Sequence, residues 1–322
     1  MKTDHKMDRN INQEYKTEQK DSDKFEAELQ RLVKQEVLFE EPMAGHVTFR
    51  VGGPADYYVR VSDAEELKQV IALCRAREIP WFVLGNGSNL LVGDGGIRGV
   101  VLEIQRDYAE VQVDGVKVTA QAGALLSRIA AAALREGLTG FEFAAGIPGT
   151  IGGACVMNAG AYGGELKDVL REVKVLTPDG EVKELPAEEL QLGYRTSVIP
   201  EKGYIVLEAT LELKEGKPEE IKAVMEGLKE RRIDKQPLEY PSAGSTFKRP
   251  EGYFAGKLIQ DAGLRGFQVG GAQVAEKHCG FVINKEHATA ADVLELIRQV
   301  QEKVLADSGV KLETEVKKIG EF

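Results

Sequence analysis

The sequence predicts an α+β fold, and three observations lead to that class. Amphipathic helical patterns alternate with strand-forming segments along a chain of 322 residues. Two of the strand-forming segments turn at Asp-Gly dipeptides, which is typical of hairpins. Two further segments are rich in glycine. The length favours two or three domains, and the apolar fraction of 43% is sufficient to build their cores.

The N-terminal part begins with a charged segment. Residues 1–25 carry few large apolar side chains, which predicts a disordered extension. DKFEAELQRLVKQ then predicts a short amphipathic helix. SDAEELKQVIALCRAREIP predicts a second helix that begins after Ser62 or Asp63 as the N-cap and ends before Pro80. The strand WFVL follows directly.

The middle of the chain alternates hairpins and helices. VQVDGVKVTA and EVKVLTPDGEVKEL each predict a hairpin, turning at Gly115 and Gly180. ALLSRIAAAALREG predicts a helix that stops at Gly137. KGYIVLEATLELKEG predicts a strand and KPEEIKAVMEGLKERR a helix, so we expect the last domain boundary near residue 215. Beyond a loop rich in Pro, Gly and Ser, ADVLELIRQVQEKVLADSG predicts the final helix.

Composition excludes several classes of protein. The net charge of -10 argues against binding nucleic acid or an anionic membrane, so an anionic ligand must be held by locally placed Lys, Arg or N–H groups. The three cysteines lack CxxC spacing and the four histidines form no cluster, so neither disulfides nor a metal site is expected. With neither an apolar signal region nor a stretch long enough to span a bilayer, we expect a cytosolic protein.

The first glycine-rich segment is GNGSN at residues 85–89, between two apolar runs. It lacks the third glycine of a Rossmann fingerprint and the Gly-Lys-Ser/Thr of a Walker loop. Gly85, Asn86 and Gly87 tolerate positive φ, so successive N–H groups could converge on an anion. Ser88 and Asn89 would add side-chain donors. Taken alone, the segment is better explained by a plain turn.

The second glycine-rich segment, GFEFAAGIPGTIGGACVMNAGAYGGE, contains eight glycines but is too apolar for a flexible linker. Buried glycine and alanine indicate that a flat or bulky group packs closely on the backbone. Two such segments in one chain suit a large ligand with a pyrophosphate and a planar ring. A flavin dinucleotide meets that description.

Six motifs taken in order resemble one family. FRVGGPAD, VLGNGSNLLV, AGIPGTIGGACVMNAGAYGGE, LGYRTS, SAGSTFKRP and LETEVKKIG together are similar to UDP-N-acetylenolpyruvoylglucosamine reductases, over roughly residues 44–322. The resemblance implies a bipartite FAD-binding module of the vanillyl-alcohol-oxidase/PCMH type, followed by a smaller α+β substrate domain. The implied division is an extension at 1–25, FAD-binding subdomains at 26–98 and 99–215, and a substrate-binding domain at 216–322.

The resemblance also implies an activity. NADPH would reduce non-covalently bound FAD, which would then reduce an enolpyruvyl UDP-sugar to UDP-N-acetylmuramate in bacterial cytoplasm, for peptidoglycan synthesis. No metal is implied, the partner is a small molecule, and a monomer is plausible. The implied FAD contacts are Arg50, Leu84, Gly85, Asn86, Gly87, Ser88, Asn89, Gly123, Gly146, Ile147, Pro148, Thr150, Gly152, Gly153, Asn158 and Gly160.

Three residues match the family's catalytic positions. Ser245 matches the proton donor, and Arg195 matches the arginine that holds the substrate carboxylate and the developing enolate. Strand periodicity would place Glu313 and Glu315 on one face and cannot choose between them, but the family's glutamate stands before valine, as Glu315 does. Judged without the resemblance, Ser245 is better explained as a turn serine, Arg195 is also compatible with a surface ion pair, and Glu315 with a solvated strand face.

Substrate contacts are implied at four positions. Lys235 is placed like a diphosphate-binding lysine, and Arg249 stands where longer members of the family carry Asn. Tyr162 and His278 are further candidates, with Gln273 as a more distant one. The chain resembles the family's shorter form, which lacks a tyrosine-bearing insertion, so which residues cover the bound substrate stays open.

Two rival functions differ from this one. The first is another FAD oxidoreductase of the same superfamily, with the flavin held either non-covalently or, as in some oxidases, covalently. A covalent oxidase would anchor the flavin through a histidine, yet no histidine stands between His46 and His278. A non-catalytic nucleotide-binding module would not need a proton donor such as Ser245.

Overall fold

The computed structural model describes residues 22–322. Residues 1–21, which make up most of the predicted extension 1–25, lie outside the described residues. Helix α1 covers residues 22–32 and buries Phe25 and Leu29, which confirms the predicted amphipathic helix. The predicted extension therefore ends too late. Its residues 22–25 belong to a helix that packs on the core. Within the described chain, no helix combines the length and apolarity needed to cross a membrane.

The first sheet has the order β1-β2-β5-β3, in which β1 is antiparallel to β2 while β5 is parallel to β2 and β3. Its elements are β1 (Leu38–Pro42), β2 (Pro54–Arg60), α2 (Ala64–Ala76), β3 (Trp81–Leu84) and β5 (Ile97–Glu103). Helix α2 begins as predicted, because the Asp63 carboxylate accepts a hydrogen bond from the N–H of Glu66 at 2.8 Å. The predicted boundary between residues 98 and 99 falls inside β5, so this unit extends to Glu103.

The second sheet is antiparallel, with the order β12-β11-β13-β7-β6. Its strands are β6 (Val111–Asp114), β7 (Lys117–Gln121), β11 (Leu170–Leu176), β12 (Val182–Pro186) and β13 (Ile205–Glu212). Both predicted hairpins are confirmed, and Gly115 and Gly180 have the positive φ that their turns need.

Helices and short strand pairs surround this second sheet. They are α3 (Leu126–Arg135), α4 (Ile151–Met157), α5 (Pro218–Lys235), β8 (Leu138–Thr139) with β14 (Lys214–Glu215), and β9 (Gly160–Ala161) with β10 (Gly164–Glu165). Helix α5 packs on α3 and β8. The predicted boundary at 215/216 is therefore too early, because α5 belongs by its contacts to the preceding unit.

The C-terminal unit has a sheet of order β15-β18-β17-β16 and two helices. Its elements are β15 (Ser242–Ser245), α6 (Ala255–Asp261), β16 (Gln268–Val269), β17 (Ala272–Val274), β18 (Phe281–Asn284) and α7 (Ala290–Ser308). Its core also takes Phe49, Val51 and Leu91 from the first unit. The chain then returns to the first unit, where β19 (Lys317–Ile319) pairs in parallel with β4 (Leu90–Val92).

This return differs from the strand expected over KLETEVKKIG. Only Lys317–Ile319 is a strand, and the preceding residues make one isolated bridge, between Thr314 and Phe247. The bridge places Glu315 beside the end of β15, where the N–H of Glu315 donates to the carbonyl of Thr246 at 2.8 Å.

Candidate active site

The two glycine-rich segments lie against each other, and we call residues 85–89 with residues 146–153 the cofactor cradle. The Asn86 side chain donates to the Pro148 carbonyl at 2.9 Å. A Cβ added at Gly85 would lie 2.7 Å from Oγ1 of Thr150, and one at Gly152 would lie 3.0 Å from Ala122. Because Gly85 has no side chain, the first segment can approach Thr150 of the second this closely, and Gly152 likewise lets the second segment pack on Ala122.

The backbone of the first segment has positive φ at one of the three positions that tolerate it. Positive φ occurs at Gly87, at 59°, but not at Gly85 or Asn86. Gly85 and Asn86 therefore do not use the positive φ that they can tolerate. Gly85 is needed for the close approach to Thr150, and Asn86 ties the segments together through its amide.

A cavity of about 130 Å³ opens at the junction of the two segments. Five predicted FAD contacts line it: Leu84, Gly85, Thr150, Gly152 and Gly153. Most of its other walls are apolar, from Val83, Ile104, Ala122, Val156, Ile205 and Val206. The slot is smaller than a whole FAD, but bare backbone beside apolar walls suits the edge of a planar ring, so these residues fit that part of FAD.

Helix α4 begins inside the cofactor cradle. Oγ1 of Thr150, which is buried, accepts from the N–H of Gly153 at 3.4 Å and caps the helix. The helix ends at Asn158, whose side chain donates to Glu165 and to the Gly193 carbonyl and accepts from the N–H of Lys167. The Asn158 amide is thus occupied within the protein, which leaves its backbone for the predicted contact with FAD.

The other predicted FAD contacts are spread around the cofactor cradle. Arg50 is exposed, and its carbonyl accepts from Asn284. A Cβ at Gly123 would lie 2.2 Å from the Gln105 carbonyl, so Gly123, like Gly85, allows a close approach of two backbone segments. Gly160 offers its carbonyl to Arg195. The remaining ones lie along the two segments: Ser88, Asn89, Gly146 and Ile147.

Arg195, Ser245 and Glu315 line one cavity of about 380 Å³, which we call the substrate cavity. Nε of Arg195 donates to Oε1 of Glu315 at 2.8 Å, and Nη2 donates to the carbonyl of Gly160 at 3.2 Å. Ser245 ends β15, and its hydroxyl makes no hydrogen bond to any residue from 22 to 322. The structure therefore brings together the three residues predicted from distant motifs.

Burial separates the two glutamates that periodicity could not distinguish. Glu315 is 9% exposed, and its burial raises the pKa of the carboxyl while the Arg195 charge opposes that rise. Glu313 is exposed and pairs with Lys248 at 3.1 Å. Asn89 of the cofactor cradle donates to the Glu315 carbonyl at 3.2 Å and so links the two sites.

Positive φ angles occur at several of the predicted site residues. Eight non-glycine residues have positive φ in residues 22–322, and four of them are predicted site residues: Arg50, Asn158, Tyr162 and Arg195. Each such conformation costs about 1–3 kcal/mol and persists where surrounding contacts impose it. At Arg195 these contacts include Glu315 and Gly160.

The substrate cavity is strongly cationic. Among residues 22–322, five basic side chains line it, namely Arg195, Arg249, Lys257, Arg265 and Lys277, and the only acid in that lining is Glu315. This contrasts with a net charge of -10 for the whole chain. Lys257, Arg265 and Lys277 could not be predicted from the sequence, because no local pattern distinguishes them from ordinary surface cations.

The predicted substrate contacts divide into two groups. Arg249 and His278 line the substrate cavity; Lys235 and Tyr162 do not line it, nor does Gln273. Burial lowers the pKa of His278, and its Nδ1 accepts from the N–H of Gly280 at 3.1 Å. The neutral ring therefore carries its proton on Nε2, as a donor.

Comparison with known proteins gives two matches to sequence families. Residues 236–319 match the C-terminal domain of UDP-N-acetylenolpyruvoylglucosamine reductase, and residues 55–186 match an FAD binding domain. These ranges agree with the cofactor cradle lying in the N-terminal units and Ser245 in the C-terminal unit.

Similar proteins cover nearly the whole chain. UDP-N-acetylenolpyruvoylglucosamine reductase of Agathobacter rectalis is 58% identical over 89% of this chain and 95% of its own length. The protein of the same name from Clostridioides difficile is 53% identical over 90% of this chain and 95% of its own. The crystal structure of the Thermus caldophilus reductase superposes with a TM-score of 0.75 at 41% identity, covering 88% of this chain and 98% of that one.

Proposed function

The chain belongs to the UDP-N-acetylenolpyruvoylglucosamine reductase family of FAD-dependent oxidoreductases, and on that premise we propose how its own residues carry out the reaction. The proposed reaction is the NADPH-dependent reduction of UDP-N-acetylenolpyruvoylglucosamine to UDP-N-acetylmuramate, a step of peptidoglycan precursor synthesis in bacterial cytoplasm. The observation that carries this proposal is the Arg195–Glu315 pair beside Ser245 in a cationic cavity.

The cofactor cradle is proposed to hold FAD non-covalently through main-chain N–H groups and the apolar slot. Bound there, FAD supplies hydride chemistry between NADPH and the enolpyruvyl double bond. The proposed units are an FAD-binding pair, formed by the first and second sheets, and a substrate-binding unit that begins between α5 and β15.

Arg195 is proposed to hold the substrate carboxylate and to stabilise the negative charge that develops next to it. Its guanidinium is fixed by Glu315 and Gly160, so its remaining N–H groups point in a fixed direction. Donors fixed before the reaction stabilise developing charge without further reorganisation. The other cations of the substrate cavity suit the diphosphate of a UDP-sugar.

Ser245 is proposed to give its hydroxyl proton to the carbon that carries the enolate charge. Its hydroxyl makes no hydrogen bond to residues 22–322, which leaves its proton available. A serine hydroxyl is a weak acid, and the cations that line the substrate cavity would stabilise the alkoxide left behind. Glu315 is proposed to act on the enolate with Arg195, or to orient the serine or a water.

A visible spectrum of the purified protein under anaerobic conditions tests this function. We expect flavin absorption that NADPH bleaches and UDP-N-acetylenolpyruvoylglucosamine restores. UDP-N-acetylglucosamine, which lacks the enolpyruvyl group, is the matched control and should restore nothing. A flavin that NADPH bleaches but that the enolpyruvyl substrate does not reoxidise faster than this control would contradict the proposal.

A further inference from the structure

Arg232 of helix α5 is a half-buried cation. Within residues 22–322 its guanidinium makes neither an ion pair nor a hydrogen bond, although it carries five N–H donors. Arg77, another half-buried arginine, shows the usual arrangement, because its guanidinium pairs with Glu28 at 2.6 Å. Burial lowers the pKa of Arg232, which reflects the cost of removing an unpaired charge from water.

The position of Arg232 connects it to the cofactor cradle. A Cβ at Gly146 would lie 3.1 Å from Nη1 of Arg232 and 3.3 Å from its Cδ. Because Gly146 has no side chain, there is room for the guanidinium of Arg232 beside it. Two residues further on, the Pro148 carbonyl accepts the hydrogen bond from Asn86 that joins the two segments.

Other cations share this end of α5. Arg231 lies over the ring of Tyr162, with its guanidinium carbon 5.0 Å from the ring centroid, and Lys235 ends the helix. A cation near a helix C-terminus interacts favourably with the helix dipole. The exposed Lys235 already supplies such a charge, so the dipole does not explain why Arg232 is half-buried against Gly146.

We propose that Arg232 binds the diphosphate group of a nucleotide ligand at the edge of the cofactor cradle. A diphosphate offers several charged acceptors to the planar guanidinium fork and would compensate its buried charge. FAD and the UDP-sugar both carry this group, and the proposal rests on the proposed function for the presence of these ligands. Arg232 would be a binding residue outside the set predicted from sequence.

Titration with two probes shows whether Arg232 binds the diphosphate of FAD or that of the UDP-sugar. FAD is titrated into the cofactor-stripped protein and followed by flavin fluorescence, and UDP is titrated into the FAD-loaded protein by calorimetry. We expect Arg232→Gln to weaken one of them by about tenfold to a hundredfold, the range for a lost charge-assisted hydrogen bond, and Arg232→Lys to weaken it less. Lys229→Gln, an exposed charge on the same helix, is the matched control and should change neither affinity more than about twofold.

Thermal unfolding of the ligand-free variant separates ligand binding from a structural role. Arg232→Gln removes an unpaired buried charge, so the ligand-free protein should keep or increase its Tm. Unchanged affinities for both probes, or a lower Tm with both affinities lost together, would overturn the proposal. Wild-type protein that binds FAD and UDP but does not turn over the enolpyruvyl substrate would contradict the proposed function. The effect of Arg232→Gln on the two affinities could still be measured in that case, so the proposal for Arg232 would be tested separately.

Discussion

The cofactor cradle and the substrate cavity lie side by side but are built in opposite ways. The cradle depends on glycines, which have no side chain, since a Cβ at Gly85 or Gly152 would lie within 3.0 Å of a neighbouring atom. The substrate cavity depends on side chains that are present, with five cations around one buried carboxyl. Asn89 joins the two through the Glu315 carbonyl. Adding an atom should therefore damage the first site, and removing one should damage the second.

The largest effect is expected from removing the Ser245 hydroxyl. Ser245→Ala should leave flavin reduction by NADPH unchanged and slow reoxidation by the enolpyruvyl substrate about 10²–10⁴-fold, the usual contribution of a positioned acid. Stopped-flow absorbance measures the two half-reactions separately. Ser242→Ala on the same strand is the control. Normal reoxidation in Ser245→Ala would remove the serine from the mechanism.

A smaller effect, about 10²-fold on reoxidation, is expected for Glu315→Gln. The amide can still accept the hydrogen bond from Arg195 but carries no charge and no acidic proton. Glu313→Gln, two residues away and exposed, should change the rate less than about twofold. Equal losses in the two variants would mean that burial does not identify the functional glutamate.

Gly85→Ala tests the cofactor cradle and should weaken FAD binding by about tenfold to a hundredfold, because overpacking costs about 1–3 kcal/mol. The added methyl meets Oγ1 of the buried Thr150. Thr150→Ala introduced in the same protein removes that atom and should restore part of the affinity.

Gly227→Ala in helix α5 is the matched control, since a Cβ there meets nothing within 4 Å. It should leave FAD affinity unchanged and stabilise the helix by about 0.5–1 kcal/mol. Flavin fluorescence titration measures affinity, and denaturant unfolding measures stability. The same FAD affinity in Gly85→Ala and Gly227→Ala would contradict the view that the cradle depends on close backbone approach.

The smallest effect concerns stability and pH. The folded pKa of Glu315 is raised by burial, so the folded state holds this proton more tightly than the unfolded state. Its contribution to the free energy of unfolding is present below the ordinary glutamate pKa of 4.5 and declines as pH rises through the folded value. Urea unfolding from about pH 4 to pH 7 should therefore show wild type losing stability relative to Glu315→Gln. A difference that stays constant or moves the other way contradicts this assignment.

Sequence patterns predicted the local elements well and the contacts between units poorly. The hairpins at Gly115 and Gly180 and the cap at Asp63 follow from neighbouring residues, and the structure confirms them. The boundaries at 98/99 and 215/216 were wrong, because membership of β5 and α5 is decided by partners distant in sequence.

The candidate site shows the same limit. The two glycine-rich segments could be recognised as backbone-exposing, but the reason for Gly85 is a contact with Thr150 that only the fold creates. The alternation of residues along the chain could not separate Glu313 from Glu315. Glu315 is buried because it contacts Arg195 and Thr246, which are distant from it in sequence. Lys257, Arg265 and Lys277 carry no sequence signal until the substrate cavity gathers them.

The central claim is that side-chain-poor backbone holds FAD without a covalent bond beside a cavity that performs proton chemistry. Equilibrium titration of the cofactor-stripped, folded protein with FAD tests it most directly. We predict saturation at one FAD per chain, with all of the flavin recovered in the supernatant after hot acid precipitation. Folded protein that binds no FAD, or flavin that stays with the precipitated protein, would contradict the account.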